Sequence, residues 1–116
     1  MRIQERTVGD VIVLDVIGRI SASVPERPLL PTVRNHLAQG RTRIVVNMHE
    51  VPYVDSTGLA DIVVAFHAAA KCGGALKLAR LTAHVHELLR ITMLLTVFEV
   101  FETEADAVAS FGAPTA

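Results

Sequence analysis

The amino-acid sequence predicts an α/β domain whose mixed sheet begins with an N-terminal hairpin and continues as βαβ units, with helices packed on the sheet. Two strand-like runs, residues 3–8 and 11–17, flank a Gly-Asp pair near the N-terminus, which is typical of a hairpin. From residue 44 onward, short apolar runs alternate with segments of helical periodicity, as in parallel βαβ units. The 116 residues are 51% hydrophobic and 20% charged, which is typical of one globular domain. The predicted element order is ββαβαβαβα.

The first two strands are predicted to pair antiparallel. Residues 3–8 alternate weakly between polar and apolar side chains, as an edge strand does. Gly9 and Asp10 then form the turn, because glycine readily adopts the positive φ that a tight primed turn requires. Residues 11–17 are almost all apolar and β-branched, so we expect the second strand to be buried on both faces.

A loop over residues 18–23 leads to the first helix. Three prolines follow this loop, and proline is tolerated in the first turn of a helix but not in its interior. We therefore expect a helix that starts at Pro28 or Pro31, reaches Gln39 and ends at Gly40.

The third strand and the second helix come next. Residues 44–48 are predicted as an interior strand and residues 49–54 as a connector. The second helix is the clearest in the chain, because its apolar residues recur at helical spacing: Leu59, Ile62, Val63, Phe66, Ala69 and Ala70. It is expected to begin at Ser56 or Thr57, both common N-cap residues, and to end at the glycine pair that begins with Gly73.

The C-terminal part completes the alternation of strands and helices. Residues 75–79 form the predicted fourth strand, and Thr82 is expected to cap a third helix. Residues 97–101 form the last predicted strand. Thr103 is expected to cap the final helix, with Asp106 three residues later in a box-like arrangement. The parallel strands are expected to be joined by right-handed crossovers.

Composition excludes several classes of protein. Residues 1–116 are expected to form a single domain, with residues 112–116 as a frayed tail. The N-terminus lacks the apolar segment of a signal peptide and no apolar run is long enough to span a bilayer, so we expect a cytoplasmic location without membrane insertion. A net charge of −1, with one tyrosine and no tryptophan, argues against direct nucleic-acid binding. The single cysteine, Cys72, excludes a disulfide framework or a multi-cysteine metal site within one chain.

The segment most informative about function covers residues 53–59, Tyr-Val-Asp-Ser-Thr-Gly-Leu. It places the hydroxyl of Ser56 on the first turn of the strongest helix, where free backbone N–H groups and the helix dipole favour an anion. A phosphate on Ser56 would be tolerated there, and Asp55 already makes the position negative. Gly58 is expected to keep the turn open, so that the active site of another protein can reach the hydroxyl. The alternative is that Ser56 or Thr57 is only an N-cap.

This segment resembles the signature of the STAS family, the anti-sigma factor antagonists of bacteria. In that family, an Asp-Ser-(Ser/Thr)-Gly-Leu motif follows the third strand and opens the second helix. Residues 18–20, Gly-Arg-Ile, resemble the family's turn after the second strand. Residues 88–92 and 97–101 resemble its third helix and fifth strand. The resemblance covers essentially the whole chain and implies a STAS-like fold.

The resemblance implies a phosphorylation switch without enzymatic activity, cofactor or metal. Ser56 matches the serine that a cognate serine/threonine kinase phosphorylates, and that kinase is also the anti-sigma factor. The unphosphorylated protein would bind the kinase and release a sigma factor, and a serine phosphatase would regenerate it. The residues expected to contact the partner are Ser21, Asp55, Ser56, Thr57, Gly58 and Leu59. The same family also includes accessory subunits of lipid ABC transporters, so a cytosolic subunit that binds a permease without phosphorylation is the alternative function.

The sequence departs from the family pattern at three places. Ser21 stands where the loop after the second strand usually carries Asp, and Asn47 stands where the third strand usually ends in Asp-Leu. Met93 and Leu94 replace the usual Gly-Leu before the fifth strand. The two missing acids lower the negative charge near Ser56. Together with Leu95, the Met-Leu pair is expected to fill the core beneath the last strand or, alternatively, to form an apolar partner surface.

Enzymatic and metal-binding alternatives have weaker sequence support. A serine hydrolase requires Gly-x-Ser-x-Gly, but Val54 lies two residues before Ser56. A receiver domain requires an acidic pair after the first strand and a lysine after the last, and both are missing. His84 and His86 would point roughly 200° apart on a helix, so they cannot share a metal ion. Ester hydrolysis that is lost in Ser56→Ala would support an enzyme.

Overall fold

The computed structural model describes residues 1–112. The predicted element order is confirmed, with one additional 3-10 turn before the last strand. Of the tail expected to fray, Gly112 is described and residues 113–116 lie outside the described residues. The elements are β1 (Arg2–Val8), β2 (Val11–Ile17), α1 (Leu29–Ala38), β3 (Arg43–Glu50), α2 (Ser56–Lys71), β4 (Ala75–Ala79), α3 (Ala83–Ile91), the 3-10 turn (Leu94–Thr96), β5 (Val100–Phe101) and α4 (Glu104–Ala109).

The sheet has the strand order β1-β2-β3-β4-β5. β1 is an exposed edge strand that pairs antiparallel with β2, and Val8 lies opposite Val11, so Gly9 and Asp10 form a two-residue turn. Gly9 has a φ of +63°, as the hairpin prediction required. β2, β3, β4 and β5 are parallel to their neighbours.

Both faces of the sheet are covered by helices. Ile12, Leu14 and Val16 of β2 join the main core, which also includes buried residues of α1, α2 and α3. Val11 and Val13 point to the other face, where they join a smaller core with Ala107 of α4. The prediction that the second strand is buried on both faces is therefore confirmed, because successive side chains of a strand point to opposite faces.

The ends of the first two helices agree with the sequence patterns. α1 begins at Leu29, directly after its N-cap Pro28, so Pro31 lies in the first turn where its missing N–H costs little. Gln39 is the C-cap of α1 rather than its last residue. α2 ends at Lys71, and Gly73 follows with a φ of +78°.

Two strand boundaries differ from the prediction. β3 extends to Glu50, two residues into the predicted connector, because its pairing with β2 continues to the contact between Ile17 and Glu50. β5 contains only Val100 and Phe101, not residues 97–101. Residues 97 and 98 do not start the strand, because their N–H groups donate hydrogen bonds to the carbonyl of Leu94 in the 3-10 turn.

The Met93-Leu94-Leu95 segment divides between the two expected roles. Leu94 and Leu95 are partly buried and pack against the main core, as expected of core residues. Met93 is 78% exposed, so its expected place in the core is wrong. Its backbone has a φ of +63° directly after Thr92, the C-cap of α3, where the chain leaves the helix.

A charge cluster joins the N-terminal hairpin to the C-terminal helix. The guanidinium of Arg6 donates hydrogen bonds to Asp15, with Nη2 2.9 Å from Oδ1, and to Glu104, with Nη1 3.1 Å from Oε2. These hydrogen bonds hold the pKa values of both carboxyl groups below their usual range. The contact between Arg6 and Glu104 spans 98 residues of sequence, and the sequence patterns did not indicate it.

None of the helices within residues 1–112 combines the length and the apolar composition needed to cross a bilayer.

Candidate functional site

Asp55 caps helix α2. Its backbone is extended, with φ −94° and ψ −176°, and its Oδ1 accepts a hydrogen bond from the N–H of Gly58 at 2.8 Å. The expectation that Ser56 or Thr57 is the N-cap is therefore wrong. The carboxylate of Asp55 already satisfies a free N–H of the first turn, so Ser56 becomes the first helical residue.

The hydroxyl of Ser56 is available at the surface. Ser56 is exposed, and within residues 1–112 its side chain makes no hydrogen bond to another group. In the same part of the chain, no histidine or carboxylate is hydrogen-bonded to this hydroxyl, as a serine nucleophile would require.

Ser21 and Asp55 are brought together by the fold. Ser21 is buried, and its hydroxyl donates a hydrogen bond to Oδ2 of Asp55 at 2.7 Å. The N–H of Ala22 donates to the same oxygen at 3.0 Å. The hydrogen bond from Gly58 N–H, followed by that from Ser21, holds the pKa of Asp55 below its usual range. Asp55 is thus an ionised cap that joins the loop after β2 to the start of α2.

Gly58 allows two backbone segments to pack closely. It is buried, and a Cβ added to it would lie 1.9 Å from the carbonyl oxygen of Ile20. The expected reason for this glycine, an open turn that a partner can reach, is therefore wrong. Thr57 and Leu59 are half-buried, and Leu59 packs against the main core. Among the residues expected to contact a partner, Ser56 is the one that is exposed.

The connector that leads into α2 is held at several points. Ile20 forms an isolated parallel bridge with Val54, and its N–H donates to the carbonyl of Tyr53 at 3.1 Å. The hydroxyl of Thr82, the N-cap of α3, donates to the carbonyl of Val51 at 2.8 Å. These contacts fix the backbone immediately before Ser56 relative to the loop after β2 and to α3.

The two histidines of α3 point to different surroundings. The imidazole of His84 stacks on the ring of Tyr53, with centroids 5.1 Å apart and an interplanar angle of 17°. His86 lines a separate groove with Phe101 and Glu102. Within the described part of the chain, no group of three or more His, Cys, Asp or Glu side chains is placed to hold a metal ion. Sequence reasoning missed the Tyr53–His84 contact, because the two residues lie on different elements and form no local motif.

Comparisons with known proteins place the chain among proteins of the same fold. The STAS domain family model matches residues 2–107. An anti-sigma factor antagonist from Mycobacterium paratuberculosis is 19% identical, with coverage of 94% of this chain and 92% of that chain and a TM-score of 0.81. The phosphorylated form of SpoIIAA, a Bacillus cell fate determinant, is 16% identical, with coverage of 95% and 99% and a TM-score of 0.72. A sulfate transporter family protein from Wolinella succinogenes is 17% identical, with coverage of 87% and 84% and a TM-score of 0.70.

A comparison with the curated proteins finds no match. Because the three solved structures are less than 20% identical to this chain, their similarity shows a shared fold. The five-stranded sheet with its helices is consistent with that fold.

Proposed function

This chain belongs to the STAS domain family, and we propose that it acts as an anti-sigma factor antagonist controlled by phosphorylation. In this cycle, the unphosphorylated protein binds an anti-sigma factor serine/threonine kinase in the cytoplasm and thereby releases a sigma factor. The kinase then phosphorylates Ser56 and the complex dissociates. A serine phosphatase restores the binding-competent form. The protein itself acts by binding and not as an enzyme.

The observation that carries the proposal is the division of roles between Asp55 and Ser56. Asp55 caps α2, so the exposed hydroxyl of Ser56 is free to accept a phosphoryl group. In the transfer, Ser56 Oγ bonds to the γ-phosphorus of ATP held by the kinase, and the bond from that phosphorus to ADP breaks. The hydroxyl proton passes to a base of the kinase. This chain only has to present the hydroxyl in a fixed position.

A phosphate on Ser56 is compatible with the fold. It adds a charge of about −1.5 to −2 at pH 7. The first turn of the 16-residue helix α2 offers backbone N–H groups and the positive end of the helix dipole. We therefore expect the phosphorylated domain to remain folded, so that the switch acts on the surface and needs no conformational change.

The same phosphate opposes burial in an interface. Within residues 1–112, the hydrogen bonds to the neighbouring Asp55 come from a hydroxyl and backbone N–H groups, and no cation pairs with this carboxylate. Burying a phosphate dianion next to that charge costs several kcal/mol unless the partner supplies a cation. Since about 1.4 kcal/mol corresponds to a tenfold change in affinity, one phosphate can weaken binding about a hundredfold or more.

The test measures binding of purified serine kinases of the anti-sigma class, encoded in the same genome, to four forms of the chain. Wild type and Ser56→Ala are expected to bind alike, while Ser56→Asp and enzymatically phosphorylated protein are expected to bind about a hundredfold more weakly. Thr7→Ala is the matched control, because it removes an exposed hydroxyl from the edge strand β1 and leaves the expected partner contacts unchanged, so it is expected to bind like wild type. Sub-micromolar binding by both Ser56→Asp and the phosphoprotein would overturn the proposal.

A transporter subunit is the second candidate. The sulfate transporter family protein from Wolinella succinogenes shares the fold with a TM-score close to that of SpoIIAA, so the fold alone does not separate the two roles. A constitutive subunit of a lipid ABC transporter would bind a permease equally well as wild type, Ser56→Ala and Ser56→Asp. Dependence of binding on Ser56 therefore distinguishes the candidates.

A further inference from the structure

Tyr53 and His84 form a stacked pair at the surface near the N-terminus of α2. Their ring centroids are 5.1 Å apart and their planes differ by 17°. Tyr53 belongs to the connector before α2 and is 39% exposed, and His84 belongs to the first turn of α3 and is also exposed. The pair thus leaves aromatic area in contact with water three residues before Ser56.

The backbone under this pair is fixed. Val51 and Val54, on either side of Tyr53, are buried, and the carbonyl of Val51 accepts the hydroxyl hydrogen bond of Thr82 at 2.8 Å. The carbonyl of Tyr53 accepts a hydrogen bond from the N–H of Ile20 at 3.1 Å. A partner that binds the stacked rings therefore has little backbone freedom to remove, which favours affinity.

We propose that the Tyr53–His84 pair is a second contact for the kinase that phosphorylates Ser56, and that it accepts an uncharged apolar or aromatic segment of that kinase. This inference rests on the proposed function. It extends the interface from the N-terminus of α2 to the N-terminus of α3. Tyrosine is among the residues enriched in protein interfaces and in their energetically dominant positions.

The distance along the chain supports a shared partner. Tyr53 and Ser56 are separated by three peptide units, which span at most about 10 Å. A standard interface covers about 800 Å² on each partner, so a kinase that covers the hydroxyl of Ser56 also reaches Tyr53. One partner therefore accounts for both features.

The composition of this surface supports an apolar contact. The exposed residues next to the pair in sequence, Pro52 beside Tyr53 and Ala83 beside His84, carry no charge. A contact of this kind supplies no cation to a phosphate on Ser56, so it is consistent with a switch that phosphorylation turns off.

The test uses Tyr53→Ala, His84→Ala and the double variant, with binding to the purified anti-sigma-class serine kinases measured by calorimetry. Tyr53→Ala is expected to weaken binding about twentyfold or more and His84→Ala about fivefold. The double variant is expected to lose less than the product of the two, because the rings contact each other. His86→Ala is the matched control, since it removes an imidazole from the same helix but from a different groove, and it is expected to stay within about twofold.

The outcomes separate this inference from the proposed function. If wild type binds, Ser56→Asp is released and Tyr53→Ala and His84→Ala bind like wild type, the inference is overturned and the phosphorylation switch stands. If no kinase of this class binds wild type, the proposed function fails and the inference fails with it. Thermal unfolding of each variant distinguishes a loss of binding from a loss of folding. Both substituted side chains are exposed, so we expect the variants to remain folded.

Discussion

The buried hydroxyl of Ser21 donates a hydrogen bond to the carboxylate of Asp55, which lies 34 residues further along the chain. This contact joins the loop after β2 to the N-cap of α2. Ser21 thus supports the N-cap by donating a hydrogen bond to it, whereas an acidic residue at position 21 would place a second carboxylate against Asp55.

Replacing Ser21 with alanine tests this contact. Ser21→Ala removes the hydroxyl donor to Oδ2 of Asp55 and keeps the hydrogen bond from the N–H of Ala22. We expect the free energy of unfolding to fall by about 1 kcal/mol, the usual size for a lost hydrogen bond. Urea unfolding at pH 7 measures it. Thr7→Ala is the control, because Thr7 is exposed on β1 away from this contact, and an effect as large as that of Ser21→Ala would contradict the role given to Ser21.

Gly58→Ala is expected to destabilise the domain although it lies in a helix. An alanine Cβ would lie 1.9 Å from the carbonyl oxygen of Ile20. Because this oxygen belongs to the backbone, it cannot move aside as the end of a flexible side chain could. We expect a loss of about 2–3 kcal/mol from this overpacking, measured by urea unfolding.

The matched control for Gly58→Ala is Ala60→Gly, the reverse exchange at an exposed position of the same helix. It is expected to cost about 1 kcal/mol from helix propensity alone. If Gly58→Ala instead stabilised the domain, as propensity by itself predicts, the close approach to Ile20 would be refuted.

The Arg6 cluster predicts a dependence of stability on pH. Asp15 and Glu104 have pKa values lowered in the folded state, chiefly by hydrogen bonds from Arg6. Their contribution is therefore present above the unfolded pKa values, about 3.9 for Asp and 4.3 for Glu, and is lost as the pH falls through the lower folded values. We expect the urea midpoint to drop between pH 6 and pH 3.

Arg6→Met should reduce that drop, because it removes the shared donor of both carboxylates. Arg2→Met is the control, since it removes a guanidinium from the same edge strand without touching the cluster. A pH profile of Arg6→Met that matches wild type would show that the cluster does not stabilise the fold.

Met93→Gly is expected to stabilise the domain. The methionine is 78% exposed and has a φ of 63°, a backbone conformation that glycine adopts without the steric cost paid by other residues. The gain is expected to be about 1 kcal/mol in thermal or urea unfolding. Arg80→Gly is an independent second case, because Arg80 is exposed with a φ of 57°. If both variants were less stable than wild type, the backbone strain inferred at Met93 and Arg80 would be contradicted.

Much of the fold is predictable from short sequence patterns. The Gly9-Asp10 turn, the doubly buried β2 and the caps Thr82 and Thr103 all agree with the structure. β5 is the exception. Residues 97–101 carry a strand pattern, but the 3-10 turn takes up the N–H groups that would start the strand. The sequence also located the exposed Ser56, although it assigned the N-cap to the wrong residue.

The sequence by itself determined the order of the elements and the buried faces, because these depend on periodicity and on residues within about one helical turn. It pointed to Ser56 as a candidate phosphorylation site through the resemblance of residues 55–59 to the STAS signature. Only the tertiary structure decided three contacts: the hydrogen bond from Ser21 to Asp55, the close approach of Gly58 to the backbone of Ile20, and the stacking of Tyr53 on His84. Those contacts join residues more than 30 positions apart. Their geometry follows from how the elements pack, and no local pattern of side chains records it.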